Sequence, residues 1–401
     1  MTYRCVYLKE GREKSAIAYH PWVFSGAIGR IDKGIDNGDV VDVYTNGKKF
    51  IGRGFYNNVS GIVVRIMAFE QIPIDAEFFE ARIRKAKQLR DILGLDTDAA
   101  RYCNGSGDFL PGLYIDAFDE FLVVQFSSYG LVRMKESIVG AIKNVFFDDD
   151  NGEILFKGIY ERSDAVIKQE EGMEGAKGVL YGKEPPERLL VNEHGTQYPV
   201  FIKEGQKTGF YLDLRTSRDI LGSLSSNRSI LNLFSYTGSF SIKALTSGAK
   251  KVVSVESSKK FCKLSEDEIA GISHLDVSKH TAVCANVFDY LRTVEDNLYD
   301  IVVVDPPPLC KNKHDVEKSS RAYKDCNMHA IRVAKDNGFV LTLCCSHHIS
   351  SDLLQKIVFA SAKDAGRMVQ IVTQIGHEQD HPVNIYHPET AYFKGFLLRV
   401  L

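Results

Sequence analysis

Residues 229–241, "SILNLFSYTGSFS", decide the fold of the C-terminal half of the chain. The mostly apolar run "SILNLF" is short and is followed by polar residues, which is typical of a buried strand. The segment behind it carries one glycine, Gly238, where a dinucleotide-binding turn would show three. By itself the stretch fits an ordinary strand–helix turn and a turn that holds a nucleotide-like cofactor equally well.

The strand–helix alternation continues from this stretch toward the C-terminus. Each further β-rich run is followed by a segment compatible with a helix, and the runs are KVVSVE, TAVCAN, YDIVVVD and GFVLTLCC. Such alternation predicts an α/β fold, a parallel sheet with helices on both faces. Because ligands of these sheets bind at the carboxyl ends of the strands, the residues behind each run are the candidates for chemistry.

The N-terminal half has a different pattern. Residues 1–72 contain short strand-like runs separated by glycines, which predict a small β-barrel-like domain. The helical spacing of "DAEFFEARIRKAKQLRDIL", followed by strand-like runs, predicts an α+β middle domain over 73–185. Pro185 and Pro186 break regular structure and mark the linker to a third domain over 186–401.

The composition excludes several classes of protein. The 401 residues are 44% hydrophobic and 25% charged, with a net charge of −2, so any contact with nucleic acid must be local. No apolar run reaches the roughly 18 residues that a membrane span needs. The N-terminus lacks the apolar core of a secretory signal, and the eight cysteines form no CxxC pair. We therefore expect a cytoplasmic protein with reduced thiols.

Two acids stand at strand ends. Glu256 ends the second run, about twenty residues beyond the first loop, where an acid can accept hydrogen bonds from both hydroxyls of a ribose. An acid at a helix N-terminus explains that residue equally well. Asp305 ends the fourth run and is followed by three prolines, which predict a rigid wall beside a ligand.

The fifth run ends in "LTLCCSHHIS", residues 341–350. A metal site is disfavoured there, because adjacent residues point to opposite faces of a strand and metal-binding cysteines are usually spaced apart; no metal is expected. The same alternation places one cysteine in the core and lets the other face the crevice beside Asp305. The segment "GQKTGFYLDLRTSRDIL" (205–221) is compatible with a helix start and with a lid, and its spacing does not decide between them.

The ordered set of motifs resembles the PUA-containing class I methyltransferases, in particular the RlmI-like 5-methylcytosine methyltransferases of large-subunit ribosomal RNA. The motifs span nearly the whole chain and are GREKSAIAYHPWVFSGAI, GDFLPGLYIDAF, GQKTGFYLDLR, YTGSFS, DPPPL, RAYKDCNMHAI and DHPV…YFKGFLLRV. The resemblance implies an N-terminal PUA barrel, a seven-stranded Rossmann-like methyltransferase sheet and S-adenosylmethionine as the cofactor. It also implies ribosomal RNA as the partner and a homodimer as a possible assembly.

The resemblance assigns cofactor-binding roles to residues of the sheet domain. Phe234, Tyr236 and Gly238 are expected to line the methionine end of S-adenosylmethionine. Glu256 is expected to take the ribose hydroxyls, and Arg215 to close over the cofactor or touch RNA. The remaining assigned residues, expected near the adenine and along the crevice, are Ser258, Asn286, Val287 and Asp305.

The resemblance also answers why two cysteines end the fifth strand. Cys345 matches the family's cysteine, and a thiolate there would add to carbon 6 of cytosine, because carbon 5 alone is not nucleophilic enough to take a methyl group. Asp305 would hydrogen-bond the ring nitrogen or the exocyclic amine and assist protonation. Cys344 is expected in the core. Cys310 lies two residues beyond the place of a second catalytic thiol and is expected to be structural.

Departures from the family pattern keep other functions open. Pro308 and Leu309 replace a Lys-Phe pair, and Asn286 replaces an acid. The alternatives are another RNA target, methylation of an exocyclic amine, and a cofactor-holding RNA-binding or ribosome-assembly factor. An oxidoreductase fits least, given the single loop glycine. His347 and His348 could activate the thiol, contact phosphate or simply lie at the surface.

Overall fold

The computed structural model describes residues 3–147, 156–163, 171–310 and 312–401. The chain forms two compact units. The first unit contains Met1–Leu212 and Gln379–Thr390, and the second unit contains Asp213–Glu378 and Ala391–Leu401. The division into three domains at 72/73 and 185/186 stays a prediction.

The first unit begins with a six-stranded sheet in the order β2-β6-β5-β4-β1-β3. The strands β4, β5 and β6 are buried along most of their length, and Val6, Val41 and Val64 have no exposed surface. Exposed side chains occur instead on β1, β2 and β3. The strands are β1 (Arg4–Leu8), β2 (Trp22–Phe24), β3 (Ile28–Ile31), β4 (Val40–Tyr44), β5 (Phe50–Tyr56) and β6 (Ile62–Ala68).

A five-stranded sheet, in the order β11-β10-β9-β8-β7, and a separate hairpin of β12 and β13 complete the sheets of the first unit. Its longest described helix, α2, begins at the cap Asp75, whose side chain accepts from the Phe78 N–H, and ends at Gly94 with φ +57°. The strands are β7 (Ala99–Asn104), β8 (Leu113–Phe118), β9 (Phe121–Phe126), β10 (Gly158–Ser163), β11 (Ala176–Gly182), β12 (Leu189–Glu193) and β13 (Thr196–Val200). The helices are α1 (Lys14–Ile17), α2 (Ala76–Leu93), α3 (Tyr129–Arg133) and α4 (Lys135–Phe146).

The second unit is built on a seven-stranded sheet in the order β16-β15-β14-β17-β18-β20-β19. The first five strands along the chain pair in parallel, and β20 runs antiparallel to both of its neighbours. The strands are β14 (Ser229–Leu233), β15 (Lys251–Glu256), β16 (His280–Cys284), β17 (Tyr299–Val304), β18 (Ala334–Cys344), β19 (Val369–Ile375) and β20 (Lys394–Val400). The predicted α/β class with a seven-stranded sheet is confirmed.

Helices connect these strands and bury the sheet on both faces. The four residues from Ile301 to Val304 in strand β17 have no exposed surface, so both faces of this strand are covered, which is why all four are apolar. The helices are α5 (Arg215–Leu224), α6 (Ser239–Thr246), α7 (Lys259–Ala270), α8 (Val287–Thr293), α9 (Val316–Val333) and α10 (Ser351–Ala365). The parallel strands therefore direct their carboxyl ends, with the polar residues that follow them, to one edge of the sheet.

Candidate active site

The loop after β14 has an unusual backbone. Phe234, Tyr236 and Gly238 have φ values of +58°, +49° and +88°. The conformation at Gly238 favours glycine, and a Cβ atom added there would lie 2.5 Å from the Oγ of Ser265, so that hydroxyl would have to move. Left-handed conformation at two aromatic residues is strained, and such strain is commonly retained where backbone must approach a ligand.

The carboxylate of Glu256, at the end of β15, is hydrogen-bonded to the loop after β14. Its Oε2 accepts the Tyr236 N–H at 3.1 Å, and its Oε1 accepts the Ser258 N–H at 2.8 Å. The Tyr236 ring packs edge-on against Phe261 with centroids 4.5 Å apart. Oε1 also accepts the Ser257 hydroxyl at 3.3 Å, so three of the four lone pairs of the carboxylate are used; one ribose hydroxyl can be added, and a second would take the place of the exposed Ser257 hydroxyl.

After β15 and after β16, a side chain caps the N-terminus of the helix that follows the strand. Asn286 caps the helix Val287–Thr293, and its Oδ1 accepts from the N–H groups of Phe288 at 2.9 Å and Asp289 at 3.3 Å. An aspartate would cap the helix in the same way, so the exchange of acid for amide preserves the helix start. Val287 is buried, and Ser258 caps the helix Lys259–Ala270.

The two adjacent cysteines of the fifth strand separate as alternation requires. Cys344 ends the strand with no exposed surface and belongs to the core. Cys345 is half-buried, and its Sγ lies 3.9 Å from the carbonyl oxygen of Pro306. Asp305, directly before that proline, is also half-buried. The structure therefore brings Cys345 close to the Asp305–Pro306 segment.

Ser346 fixes the geometry of this strand end from inside the core. Its Oγ accepts the Cys310 N–H at 3.2 Å and shares a hydrogen bond of 2.9 Å with the phenol of Tyr323. Burial raises the pKa of Tyr323, so its hydroxyl stays protonated. Cys310 is buried and its thiol donates to the Asn312 carbonyl at 3.3 Å, which supports the structural role expected for it.

Lys394 lies next to the strand end that carries Cys345, and the sequence reasoning did not single it out. It begins β20 opposite Cys344, and its Nζ donates to the Ser346 carbonyl at 2.7 Å. The only signal in the motif "YFKGFLLRV" is a lysine directly before an apolar run, and its burial was not predictable from that pattern. Tyr323 was equally overlooked within "RAYKDCNMHAI".

Arg215 lies in the interior of the second unit. Its side chain is 3% exposed, and its Nη1 lies 4.0 Å from Oε2 of Glu378. Glu378 also accepts from the N–H and the hydroxyl of Thr216 at 2.7 and 2.9 Å. The segment 205–221 thus includes the start of the helix Arg215–Leu224, and the buried carboxylate of Glu378 contacts the first two residues of that helix. A contact of Arg215 with the cofactor or RNA stays a prediction.

The two histidines behind the cysteines differ in exposure. His347 is exposed and His348 is half-buried, and their rings contact each other with centroids 5.2 Å apart. This arrangement leaves all three interpretations of the pair open.

One group of side chains in the described part of the chain has the spacing of metal ligands, and it lies in the first unit. His20, His387 and Glu389 place their ligand atoms within 4.8 Å of one another. The Nδ1 of His20 accepts the Trp22 N–H at 3.2 Å, which puts the ring proton on Nε2, facing Glu389. A hydrogen-bonded histidine–glutamate pair accounts for this geometry better than a metal does.

The strand-end residues of the second unit fit S-adenosylmethionine. The loop at Gly238 brings its backbone close without a side chain, and the Glu256 carboxylate accepts the Tyr236 N–H of the same loop. The Oγ of Ser235, in the same loop, is buried without a hydrogen-bond partner among the described residues. The rings of Phe234 and Phe288 stand 6.0 Å apart and form an apolar surface next to these polar groups.

Comparison with known families agrees with this architecture. The family of PUA-like domains matches residues 6–69, and the family of S-adenosylmethionine-dependent methyltransferases matches residues 164–368. No helix in the described part of the chain combines the length and apolarity needed to cross a membrane.

Similar proteins are found among curated sequences and solved structures. Ribosomal RNA large subunit methyltransferase I from Escherichia coli O139:H28 is 39% identical over 399 residues, which cover 98% of each chain. The protein of the same name from Shigella dysenteriae serotype 1 has the same identity and coverage. The crystal structure of SMU.776 complexed with SAH is 24% identical, covers 99% of this chain and 100% of its own, and has a TM-score of 0.84, which shows the shared fold.

These matches explain why a PUA-like sheet and a seven-stranded methyltransferase sheet occur in one chain, with S-adenosylmethionine as the cofactor of the second. The chain belongs to the family of PUA-containing S-adenosylmethionine-dependent methyltransferases that includes ribosomal RNA large subunit methyltransferase I.

Proposed function

We propose that this protein methylates carbon 5 of a cytosine in large-subunit ribosomal RNA, with Cys345 as the nucleophile. The observation that carries the proposal is the position of Cys345, half-buried at the carboxyl end of β18, with its Sγ 3.9 Å from the Pro306 carbonyl. Its neighbour Cys344 has no exposed surface, so only one of the two thiols can meet a substrate.

Cys345 and Asp305 each have a part in this reaction. Bound S-adenosylmethionine supplies an electrophilic methyl group. The Cys345 thiolate forms a bond to carbon 6 of the cytosine, and the displaced electron pair makes carbon 5 nucleophilic enough to take the methyl group. Asp305 hydrogen-bonds the ring nitrogen or the exocyclic amine and stabilises the charge that develops on the base.

Release of the product reverses the addition. A base removes the proton from carbon 5, the double bond between carbons 5 and 6 re-forms, and the carbon–sulfur bond breaks with its electron pair returning to sulfur. Cys310 is buried and bonded to the loop, so we assign it no part in this step.

The RNA partner is proposed from the relatives and the first unit. The 39% identical relatives are named as ribosomal RNA large subunit methyltransferases, and a PUA-like domain is suited to gripping RNA by its shape. A target base must leave its stack to reach Cys345, since the chemistry attacks a ring carbon. A cytoplasmic location belongs to this proposal, and the homodimer stays a prediction.

The proposal is tested by transfer of tritium from labelled S-adenosylmethionine to large-subunit ribosomal RNA that lacks the modification. Wild type is compared with Cys345→Ala, and Cys344→Ala is the matched control, because it removes the neighbouring buried thiol. We expect label on carbon-5-methylated cytosine with wild type and with Cys344→Ala, and none with Cys345→Ala. Calorimetry with S-adenosylmethionine checks that each variant retains its cofactor site.

Other outcomes would replace the proposal. Full transfer by Cys345→Ala would favour methylation of an exocyclic amine, since that reaction requires no thiol. Label on a base other than cytosine would point to another target. Cofactor binding without transfer by wild type to any ribosomal RNA would favour a binding or assembly factor.

A further inference from the structure

The side chain of Lys394 is buried beside the strand end that carries Cys345. Lys394 is 8% exposed and pairs with Cys344 across the antiparallel strands β18 and β20. Directly opposite residues of an antiparallel pair place their side chains on the same face of the sheet. That face is the one of Cys344, but β18 ends at Cys344 and the Lys394 side chain extends past this end, where its Nζ donates to the Ser346 carbonyl at 2.7 Å, on the residue that follows Cys345.

Among the described residues Lys394 forms no ion pair with a carboxylate, and the thiols of Cys344 and Cys345 are nearby groups that would carry the opposite charge if they ionised. Burial lowers the pKa of Lys394. A buried ammonium is costly unless an anion compensates it, and this arrangement is more typical of functional sites than of structural ones.

Lys243 shows what an ordinary buried lysine looks like in the same unit. It is 7% exposed, and its Nζ forms an ion pair with Asp219 at 2.8 Å. Lys243 is thus compensated by a permanent anion, whereas Lys394 faces groups that become anionic only when a thiol ionises.

Of the two thiols, Cys345 is the one whose ionisation can serve chemistry. Cys344 has no exposed surface, but Cys345 is half-buried and retains access to solvent. In the structure the Cys345 thiol lies 3.9 Å from the Pro306 carbonyl, the arrangement of a weak S–H donor. Loss of that proton leaves sulfur facing a carbonyl oxygen, so the thiolate needs a positive charge nearby.

We infer that Lys394 is a positioning residue whose ammonium group stabilises the Cys345 thiolate and so makes the nucleophile available at neutral pH. This inference rests on the proposed function for its biological meaning, but the pairing itself is a property of the two side chains. No atom of Lys394 bonds to the substrate: the thiol proton leaves to water, and the ammonium remains protonated throughout.

Other titratable groups belong to the elements packed around this strand end and have to be considered in any pH dependence. They come from the proline loop, the helix α9, the strand β18 itself and the turn behind it, and they are Asp305, Cys310, Tyr323, Cys344, His347 and His348. Substitution of Lys394 leaves all of them in place, so a change of the Cys345 pKa in such a variant reports on the lysine.

The test measures the pKa of the Cys345 thiol directly. Alkylation by iodoacetamide is followed as a function of pH, and peptide mass spectrometry separates Cys345 from the other cysteines. Wild type, Lys394→Met and Lys394→Arg are compared, with Lys243→Met as the control for removal of a buried lysine. Loss of an adjacent positive charge should raise the thiol pKa by about 1 to 3 units.

The expected result is a raised pKa in Lys394→Met, a pKa close to wild type in Lys394→Arg, and no change in Lys243→Met. An unchanged pKa in Lys394→Met, or a wild-type thiol that titrates at or above the ordinary value of about 8.5, would overturn the inference. The wild-type titration needs no variant and stands even where Lys394→Met does not fold.

A reciprocal measurement uses the other partner. Removal of the thiolate in Cys345→Ala should lower the pKa of Lys394, followed by NMR of the labelled lysine, because two coupled groups shift each other. Failure of the two proposals is distinguishable. A lysine-dependent thiol pKa together with an active Cys345→Ala would overturn the function alone, and an inactive Cys345→Ala with a lysine-independent pKa would overturn this inference alone.

Discussion

The backbone N–H of Tyr236 donates to Oε2 of Glu256 at 3.1 Å, which connects the turn after β14 to the end of β15. The hydrogen bond orients the carboxylate toward the strained loop that contains Gly238. A ligand in that loop therefore meets a carboxylate whose direction is already set, and less conformational entropy is lost on binding.

Glu256→Gln should weaken the binding of S-adenosylmethionine. The amide keeps the shape of the side chain, but it removes the charge and offers a donor where the ribose hydroxyls need an acceptor. Loss of hydrogen bonds to a charged group predicts a Kd about 10- to 100-fold higher by isothermal titration calorimetry. The exposed Glu266, on the following helix, provides the control Glu266→Gln, which should bind as wild type does. A Kd of Glu256→Gln within twofold of wild type would contradict the assignment.

Gly238→Ala should destabilise the second unit by about 1 to 3 kcal/mol in chemical unfolding. Two causes add, because φ is +88° and the new Cβ would lie 2.5 Å from the Ser265 Oγ. Gly366→Ala separates them: φ there is +68° with nothing within 4 Å of the new Cβ, so it should show the conformational cost alone. Equal losses in both variants would mean that the contact with Ser265 is relieved at no cost.

Tyr323→Phe should reduce methyl transfer while leaving the affinity for S-adenosylmethionine unchanged. The variant removes the hydroxyl that lies 2.9 Å from the Ser346 Oγ, so the strand end loses one of its fixed contacts. Loss of a buried hydrogen bond predicts a cost of about 1 to 3 kcal/mol in unfolding. In the control Tyr290→Phe, the hydroxyl lost is 3.5 Å from that of Tyr299, and transfer should persist. An undiminished rate in Tyr323→Phe would show that this contact does not position the site.

His280 should make the second unit less stable in mild acid. Burial lowers the pKa of His280 to about 4, and its Nε2 lies 2.8 Å from the Ser254 Oγ. Below its ordinary pKa of about 6.5 the unfolded chain binds a proton that the folded chain refuses, so this stability is present above pH 6.5 and is lost as the pH falls toward 4.

Urea unfolding at pH 7 and pH 5 measures that effect. Between the two values the free energy of unfolding should fall more for wild type than for His280→Gln. The exposed His274 provides the control His274→Gln, which should follow wild type. Parallel pH dependence in wild type and His280→Gln would assign the acid sensitivity to other groups.

Much of the second unit could be predicted from local patterns. The apolar runs became parallel strands because residues buried on both faces have to be apolar along their whole length. Gly238 lies in its turn and Glu256 at its strand end, since both positions follow from the chain order of strand, turn and helix. The separation of Cys344 from Cys345 required only the alternation of a strand.

The sequence by itself therefore determined the fold class, the order of the strands along the chain and the strand ends at which we propose the chemistry. It did not show Lys394 or Tyr323 as partners of Ser346, because these contacts join residues 48 and 23 positions apart. The pairing of Arg215 with Glu378 joins residues still farther apart in the chain, at 163 positions. Local patterns record what each residue requires of its neighbours in sequence. Which distant side chain becomes its neighbour in space depends on the order of strands in the sheet, and that order is decided when the whole core packs.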